Sequence, residues 1–209
     1  WFCEVPSQTF MNRSFWTAAT CSPLPTGGTT NTPLGHWIHD NTAETIFNRL
    51  EAHGRTWKVY VEGDTGASLT GLIHWPQLHE RFATHFVPFS EFEKDAAAGT
   101  LPDFAMIEPN LLVGHGDFHP AAGAALVKGL SLDVDVPSSI LSGDAFLQRI
   151  YDAYRGMRSP TGANVWNTAL LIGWDEPGGT YDHVPPGPVP APDQAAPAGQ
   201  FGFRFDRSG

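Results

Sequence analysis

The sequence predicts an α/β fold in which a largely parallel sheet is flanked by helices, with long loops over the carboxyl edge of the sheet. The first observation is an apolar run at residues 169–172 that has strand length and no polar alternation, as buried strands of parallel sheets do. The second is that two carboxylates, Asp175 and Glu176, follow this run, at the edge where open α/β sheets bind their ligands. The third is that helical and strand patterns follow one another along the chain.

The first predicted helix carries a hydroxyl near its start. Residues 10–19 have a helical pattern after a turn-like stretch that contains Ser7 and Thr9. Either hydroxyl can cap the helix. Alternatively, a hydroxyl at this place can work together with the free backbone N–H groups of a helix start, which stabilise a nearby phosphoryl oxygen. The residues alone favour the cap.

The next elements follow from hydrophobic periodicity. Residues 26–41 are predicted to be loop, and residues 42–54 form an amphipathic helical pattern with Thr42 as its cap and Gly54 as its stop. The other predicted elements are a strand at 56–62, an irregular region at 63–100 with helical character at 75–82 and 89–98, a strand at 101–110, a helix at 144–158 and a Pro/Ala-rich loop at 187–200.

Composition and charge limit the classes of function. At 209 residues the chain can bury a substantial core, and its length fits one domain or part of a larger one. The net charge of −10, with no basic tract, argues against electrostatic binding of nucleic acid. No apolar run approaches the length of a transmembrane segment. Cys3 and Cys21 fit either a disulfide of an exported protein or two small buried thiols.

The segment after the apolar run concentrates groups that bind metal ions or move protons. Pro-Gly-Gly at residues 177–179 forces a turn, and Asp182 and His183 follow it. Oxygen-rich clusters of this kind hold hard divalent cations. The alternative is a solvated turn after a core strand, but the whole combination is much less common than any one of its parts.

This segment carries a family resemblance. Residues 166–186, WNTALLIGWDEPGGTYDHVPP, resemble the D-E-x-G-G-x-Y/F-D-H-V-P-P signature of the phosphoesterase family that contains bacterial phospholipases C and acid phosphatases. Residues 45–63 are similar to the helix-then-strand segment of the same family. The family belongs to the alkaline-phosphatase-like superfamily of α/β folds. The resemblance therefore implies that fold, with one divalent cation of unknown identity held by Thr9, Asp175 and Glu176.

The resemblance also assigns a nucleophile. In the family, the nucleophilic Ser or Thr lies three residues before an Asn-Arg pair, which corresponds here to Thr9 before Asn12. Met11 stands where the family usually has proline, and Ser7 is the alternative nucleophile. The resemblance implies that Thr9 attacks phosphorus and forms a covalent phosphothreonine, and that Asn12 contributes to substrate binding.

Three histidines receive roles by the same resemblance. His119 matches a His-Pro element that brings an imidazole near the phosphate, although Phe118 is an inserted aromatic here. His119, with His183 as the weaker candidate, would stabilise charge or protonate the leaving alkoxide. His85 is similar to a histidine on the rim of the family's active site and would contact substrate. Pro177 stands where the family usually has a histidine.

The resulting expectation is a secreted or periplasmic hydrolase of phosphate esters, with a phospholipid head group or a small phosphomonoester as substrate. One alternative is an inactive cation- or phosphate-binding module of the same fold. Another is a sulfatase or phosphonate hydrolase relative, which the absence of a C-x-P-x-R signature disfavours. Because the family carries a Glu-Asn metal-binding pair well before its nucleophile, we expect residues 1–209 to be one partial phosphoesterase domain, truncated at both ends. Alone, this piece should be inactive.

Overall fold

A computed structural model describes residues 3, 9–20, 33–63, 67–110, 116–118, 140–176 and 183–184. Contacts divide the chain into two compact units. The first unit comprises Trp1–Gly54, Leu69–Phe82 and Leu171–Gly209, and the second comprises Arg55–Ser68 and Ala83–Leu170. Cys21 and the Pro/Ala-rich loop at 187–200 lie outside the described residues, so the predictions about them stay predictions.

The described residues contain eight α-helices and three strands. The helices are α1 Thr9–Ala18, α2 Leu34–Asp40, α3 Ile46–Ala52, α4 Leu69–Ile73, α5 Trp75–Leu78, α6 Phe82–His85, α7 Phe89–Ala98 and α8 Ile140–Gly156. The strands are β1 Trp57–Val61, β2 Phe86–Pro88 and β3 Phe104–Glu108, and a short 3₁₀ helix spans His79–Arg81. No helix in these ranges is long and apolar enough to cross a membrane.

A parallel sheet forms the centre of the second unit. The strand order is β2-β1-β3, and β1 pairs in parallel with both neighbours. Strand β1 is buried along most of its length because its aromatic and β-branched side chains suit a covered sheet. On one side, Tyr60 packs with Phe89 and Phe92 of α7 and with Phe146 and Ile150 of α8. The predicted α/β fold with a parallel sheet and flanking helices is confirmed.

The first unit is helical around a small apolar core. Met11 and Phe15 of α1 pack with Trp37 of α2 and Ile73 of α4. This packing corrects the prediction that residues 26–41 are loop, because α2 is a helix in which Trp37 is fully buried. A seven-residue helix has little stability by itself, so tertiary burial of one aromatic side chain explains it better than intrinsic propensity does.

The start of α3 also differs from the prediction. The helix begins at Ile46, and Thr45 rather than Thr42 is its cap. The Thr45 hydroxyl accepts the Asn48 amide N–H (3.4 Å), while the Asn48 side chain accepts the Thr45 amide N–H (3.0 Å). This reciprocal capping box satisfies two backbone donors at once. Gly54, predicted as the stop, adopts a left-handed φ of 66° just beyond the helix, as expected for a C-terminal glycine.

The predicted strand at residues 169–172 is wrong for this structure. These residues lie outside every helix and strand, and Leu171 and Ile172 are 66% and 44% exposed. A strand is stable only when neighbouring strands satisfy its backbone N–H and C=O groups. Among the described residues, the three strands of the sheet pair with one another and not with this run. An apolar run therefore favours burial, but it does not specify which strand would pair with it.

Candidate active site

Helix α1 presents two functional side chains on one face. Thr9 is the first residue of the helix, and Arg13 follows four residues later, so both side chains lie on neighbouring turns of the same face. Met11 and Phe15, also four residues apart, are packed into the apolar core of the first unit. The core therefore fixes the helix, and with it the positions from which Thr9 and Arg13 extend.

The two adjacent carboxylates meet this face of α1. The Thr9 hydroxyl donates a hydrogen bond to Glu176 Oε1 at 2.8 Å. Arg13 Nε donates to Asp175 Oδ2 at 2.9 Å, in an ion pair whose side chains are 10% and 30% exposed. Residues separated by more than 160 positions in the sequence are thus brought together as two contacts side by side.

The local charges are unequal. Two carboxylates face one guanidinium, and like charges on neighbouring residues repel each other. The positive end of the α1 dipole lies at Thr9, where it favours the Glu176 carboxylate. Two adjacent carboxylates are also the kind of group that binds a cation.

The donor atoms suit a hard divalent cation. Thr9, Asp175 and Glu176 offer hydroxyl and carboxylate oxygens, which are the ligands that Mg²⁺, Ca²⁺ and Mn²⁺ prefer. Only Oδ2 of Asp175 is used in its contact with Arg13. Within the described ranges, no group of three or more His, Cys, Asp or Glu side chains is arranged to hold a metal ion. A cation held here would rely on the two carboxylates, the hydroxyl and further oxygen ligands.

The other predicted site residues are distributed differently. Asn12 lies on α1 and is 1% exposed, and His183 is an exposed residue of the first unit. His85 belongs to the second unit, where its ring lies against Trp57 with the centroids 4.3 Å apart. Ser7 and His119 lie outside the described residues. Their assigned roles stay predictions.

Sequence reasoning gave no role to Arg13 or to the polar network behind α1. The Thr17 hydroxyl donates to the Arg13 carbonyl (2.7 Å), so it accepts from His74 Nε2–H (2.5 Å). His74 Nδ1 in turn accepts from the Asn41 amide (3.2 Å). Burial lowers the pKa of His74 to about 3, which keeps the imidazole neutral. Arg13 could have been noticed in the Asn-Arg pair, whereas nothing in the sequence connects Thr17 with His74.

Comparisons with known proteins agree with the motif. The chain is 30% identical to non-specific phospholipase C5 of Arabidopsis thaliana, over all of the chain and 36% of that relative. It is 32% identical to non-specific phospholipase C6 of the same plant, again over all of the chain and 36% of the relative. Phospholipase C A of Mycobacterium tuberculosis is 28% identical over 90% of the chain and 35% of the relative.

These relatives are much longer than the matched region, because the chain spans only about a third of their length. A sequence model of the phosphoesterase family matches residues 1–207, which is almost the entire chain. The matched region includes helix α1 and the Asp175-Glu176 pair, so it contains both sides of the contacts between them. The chain belongs to the phosphoesterase family.

Proposed function

We propose that the protein hydrolyses phosphate esters in a metal-dependent reaction of the phospholipase C or acid-phosphatase type, with Thr9 as the nucleophile. The observation that carries this proposal is the 2.8 Å hydrogen bond from the Thr9 hydroxyl to Glu176, next to the Arg13–Asp175 pair. Membership of the phosphoesterase family and the names of the phospholipase C relatives support the same class of reaction.

In the proposed reaction the Thr9 hydroxyl releases its proton to water, and its oxygen attacks phosphorus in line with the leaving group. The new O–P bond forms as the bond from phosphorus to the leaving alkoxide breaks, which gives a phosphothreonine. Backbone N–H groups in the first turn of α1 would stabilise the phosphoryl oxygens. A water molecule then attacks the phosphothreonine, releases phosphate or a phosphorylated head group, and restores the Thr9 hydroxyl.

The remaining groups would control charge and protons. Thr9, Asp175 and Glu176 would hold a divalent cation, which when bound lowers the pKa of the hydroxyl and offsets charge on the phosphoryl oxygens. His119, or His183 in its place, would donate a proton to the leaving alkoxide. Asn12 and His85 would contact the substrate, a phospholipid head group or a small phosphomonoester. A secreted or periplasmic location is part of the same proposal.

The test is turnover of p-nitrophenyl phosphate and phosphatidylcholine by the complete protein with Mg²⁺, Ca²⁺ or Mn²⁺. Thr9→Val should reduce turnover by at least about 100-fold, since it removes the attacking oxygen. Thr42→Val changes an exposed threonine of the same unit and should leave turnover unchanged. An inactive cation-binding module would instead bind metal without turnover in the unaltered protein, and full turnover in Thr9→Val would transfer the nucleophile to another residue such as Ser7.

A further inference from the structure

We propose that Arg13 is a positioning residue that holds Asp175 in the geometry needed for cation binding. This inference rests on the proposed function, because it concerns the same pair of carboxylates. The contact that carries it joins Arg13 Nε to Asp175 Oδ2 at 2.9 Å.

The burial of Arg13 indicates that its ion pair with Asp175 restricts both side chains. Exposed ion pairs contribute little to stability, because water screens them and their side chains remain mobile. The Arg13 side chain is only 10% exposed, and a guanidinium this far removed from water requires a compensating partner. The pair therefore restricts both side chains more than a surface pair would.

The backbone of Arg13 is fixed from several directions. Met11 and Phe15 bury the opposite face of α1, and the Thr17 hydroxyl donates to the Arg13 carbonyl at 2.7 Å. A guanidinium extending from this position defines where Asp175 Oδ2 lies relative to the Thr9 hydroxyl one turn earlier. The helix thus acts as a template that sets the spacing between the proposed nucleophile and Asp175.

Arg13 differs from the other arginines described in the first unit in the carboxylate that it contacts. Among the arginines described in the first unit, Arg49 contacts Glu44 and Arg81 contacts Glu51 and Glu80, whereas Arg13 contacts Asp175. Without the guanidinium, repulsion between Asp175 and Glu176 would favour turning one carboxylate away from α1. The remaining carboxylate and the hydroxyl would then offer a poorer cation site.

A cation titration separates positioning from simple competition. If Arg13 positions Asp175, Arg13→Met should weaken Mn²⁺ binding to the complete, metal-free protein by roughly 10-fold or more, as loss of an orienting contact does elsewhere. If Arg13 only neutralises Asp175, removing its positive charge should tighten Mn²⁺ binding, and that result would overturn the inference. Arg49→Met, which removes an exposed arginine of the same unit, should leave the Kd unchanged.

Two further variants connect the effect to Asp175. Arg13→Lys keeps a positive donor and should recover part of the Mn²⁺ affinity, and it also provides the test if Arg13→Met does not fold. In the Asp175→Asn background, Arg13→Met should weaken binding no further, because interacting residues are not additive. Full additivity would contradict the proposed route through Asp175. If Asp175→Asn by itself leaves Mn²⁺ binding and turnover intact, the proposed function fails instead.

Discussion

Carboxylates at two places in this molecule have very different surroundings. At the sheet of the second unit, Glu62 follows β1 and accepts the Asn110 amide N–H at 2.9 Å, while the buried Glu108 at the end of β3 accepts the Ser68 hydroxyl at 2.6 Å. In the first unit, Asp175 and Glu176 meet a guanidinium and the hydroxyl of a helix start.

The surroundings change what each group can do. Burial raises the pKa of Glu62, and the Asn110 amide N–H donates to this carboxylate. Asp175 is paired with a cationic side chain, and Glu176 is next to the proposed nucleophile. This contrast is the reason for proposing the reactive site in the first unit, although the regular sheet lies in the second.

The largest stability effect is expected from His74 in acid. Its pKa is about 3 in the folded protein and about 6.5 in an unfolded chain, so the unfolded state binds more protons between these values. The contribution of the neutral His74 imidazole to the free energy of unfolding is fully present above pH 6.5 and is lost as pH falls toward 3. The free energy of unfolding should decrease by up to about 1.4 kcal/mol per pH unit in this range.

Urea unfolding of the complete protein between pH 7 and pH 4 measures this dependence. His74→Gln should flatten it, whereas His79→Gln, at an exposed position of the same unit, should preserve it. Glu62 in the second unit contributes a pH dependence of the free energy of unfolding with the opposite sign. Its raised pKa makes the folded state bind a proton before the unfolded state does as pH falls. Equal slopes for the unaltered protein and His74→Gln would contradict the assigned burial of His74.

A smaller effect is expected from two glycines of α8. A Cβ added at Gly143 would lie 2.6 Å from the Phe118 ring, so Gly143→Ala should destabilise the protein by about 1–3 kcal/mol through overpacking. A Cβ at Gly156 meets nothing within 4 Å. Gly156→Ala should therefore be neutral or stabilising by up to about 1 kcal/mol, since alanine has the higher helix propensity. Thermal unfolding of both variants checks the difference, and similar losses in both would refute the packing of Phe118 against α8.

Sequence patterns predicted the longer elements well. The apolar face of α8 predicts a helix because it extends over several turns, and the β-branched and aromatic residues of β1 predict a strand. Helix α7 and strand β3 also lie within predicted elements. Helix α2 was missed because seven residues contain too little periodic signal, and the burial of Trp37 depends on residues distant in sequence. The strand at 169–172 was wrong because strand formation depends on a partner that a local pattern does not specify.

The sequence predicts some residues of the candidate site and not others, for a similar reason. The motif indicated Thr9, Asp175 and Glu176 together, and the structure brings Thr9 and Glu176 into direct contact. The Arg13–Asp175 pair could not be derived, since arginine beside asparagine in a sequence has many alternative partners. The resemblance assigns His85 to substrate binding, which stays a prediction, and in the structure its ring lies against Trp57.

The most direct test exchanges one carboxylate from each region for its amide in the complete protein. Asp175→Asn keeps an acceptor for Arg13 but removes the charge, so it should lower turnover of p-nitrophenyl phosphate, measured well below Tm, by at least about 100-fold. It should also lower Tm, because the buried guanidinium loses its compensating charge. Glu62→Gln keeps an acceptor for the Asn110 amide N–H and lies in the second unit, so it should retain both turnover and Tm. Unchanged turnover in Asp175→Asn, together with a large loss in Glu62→Gln, would place the reactive carboxylates at the sheet and contradict the site proposed at α1.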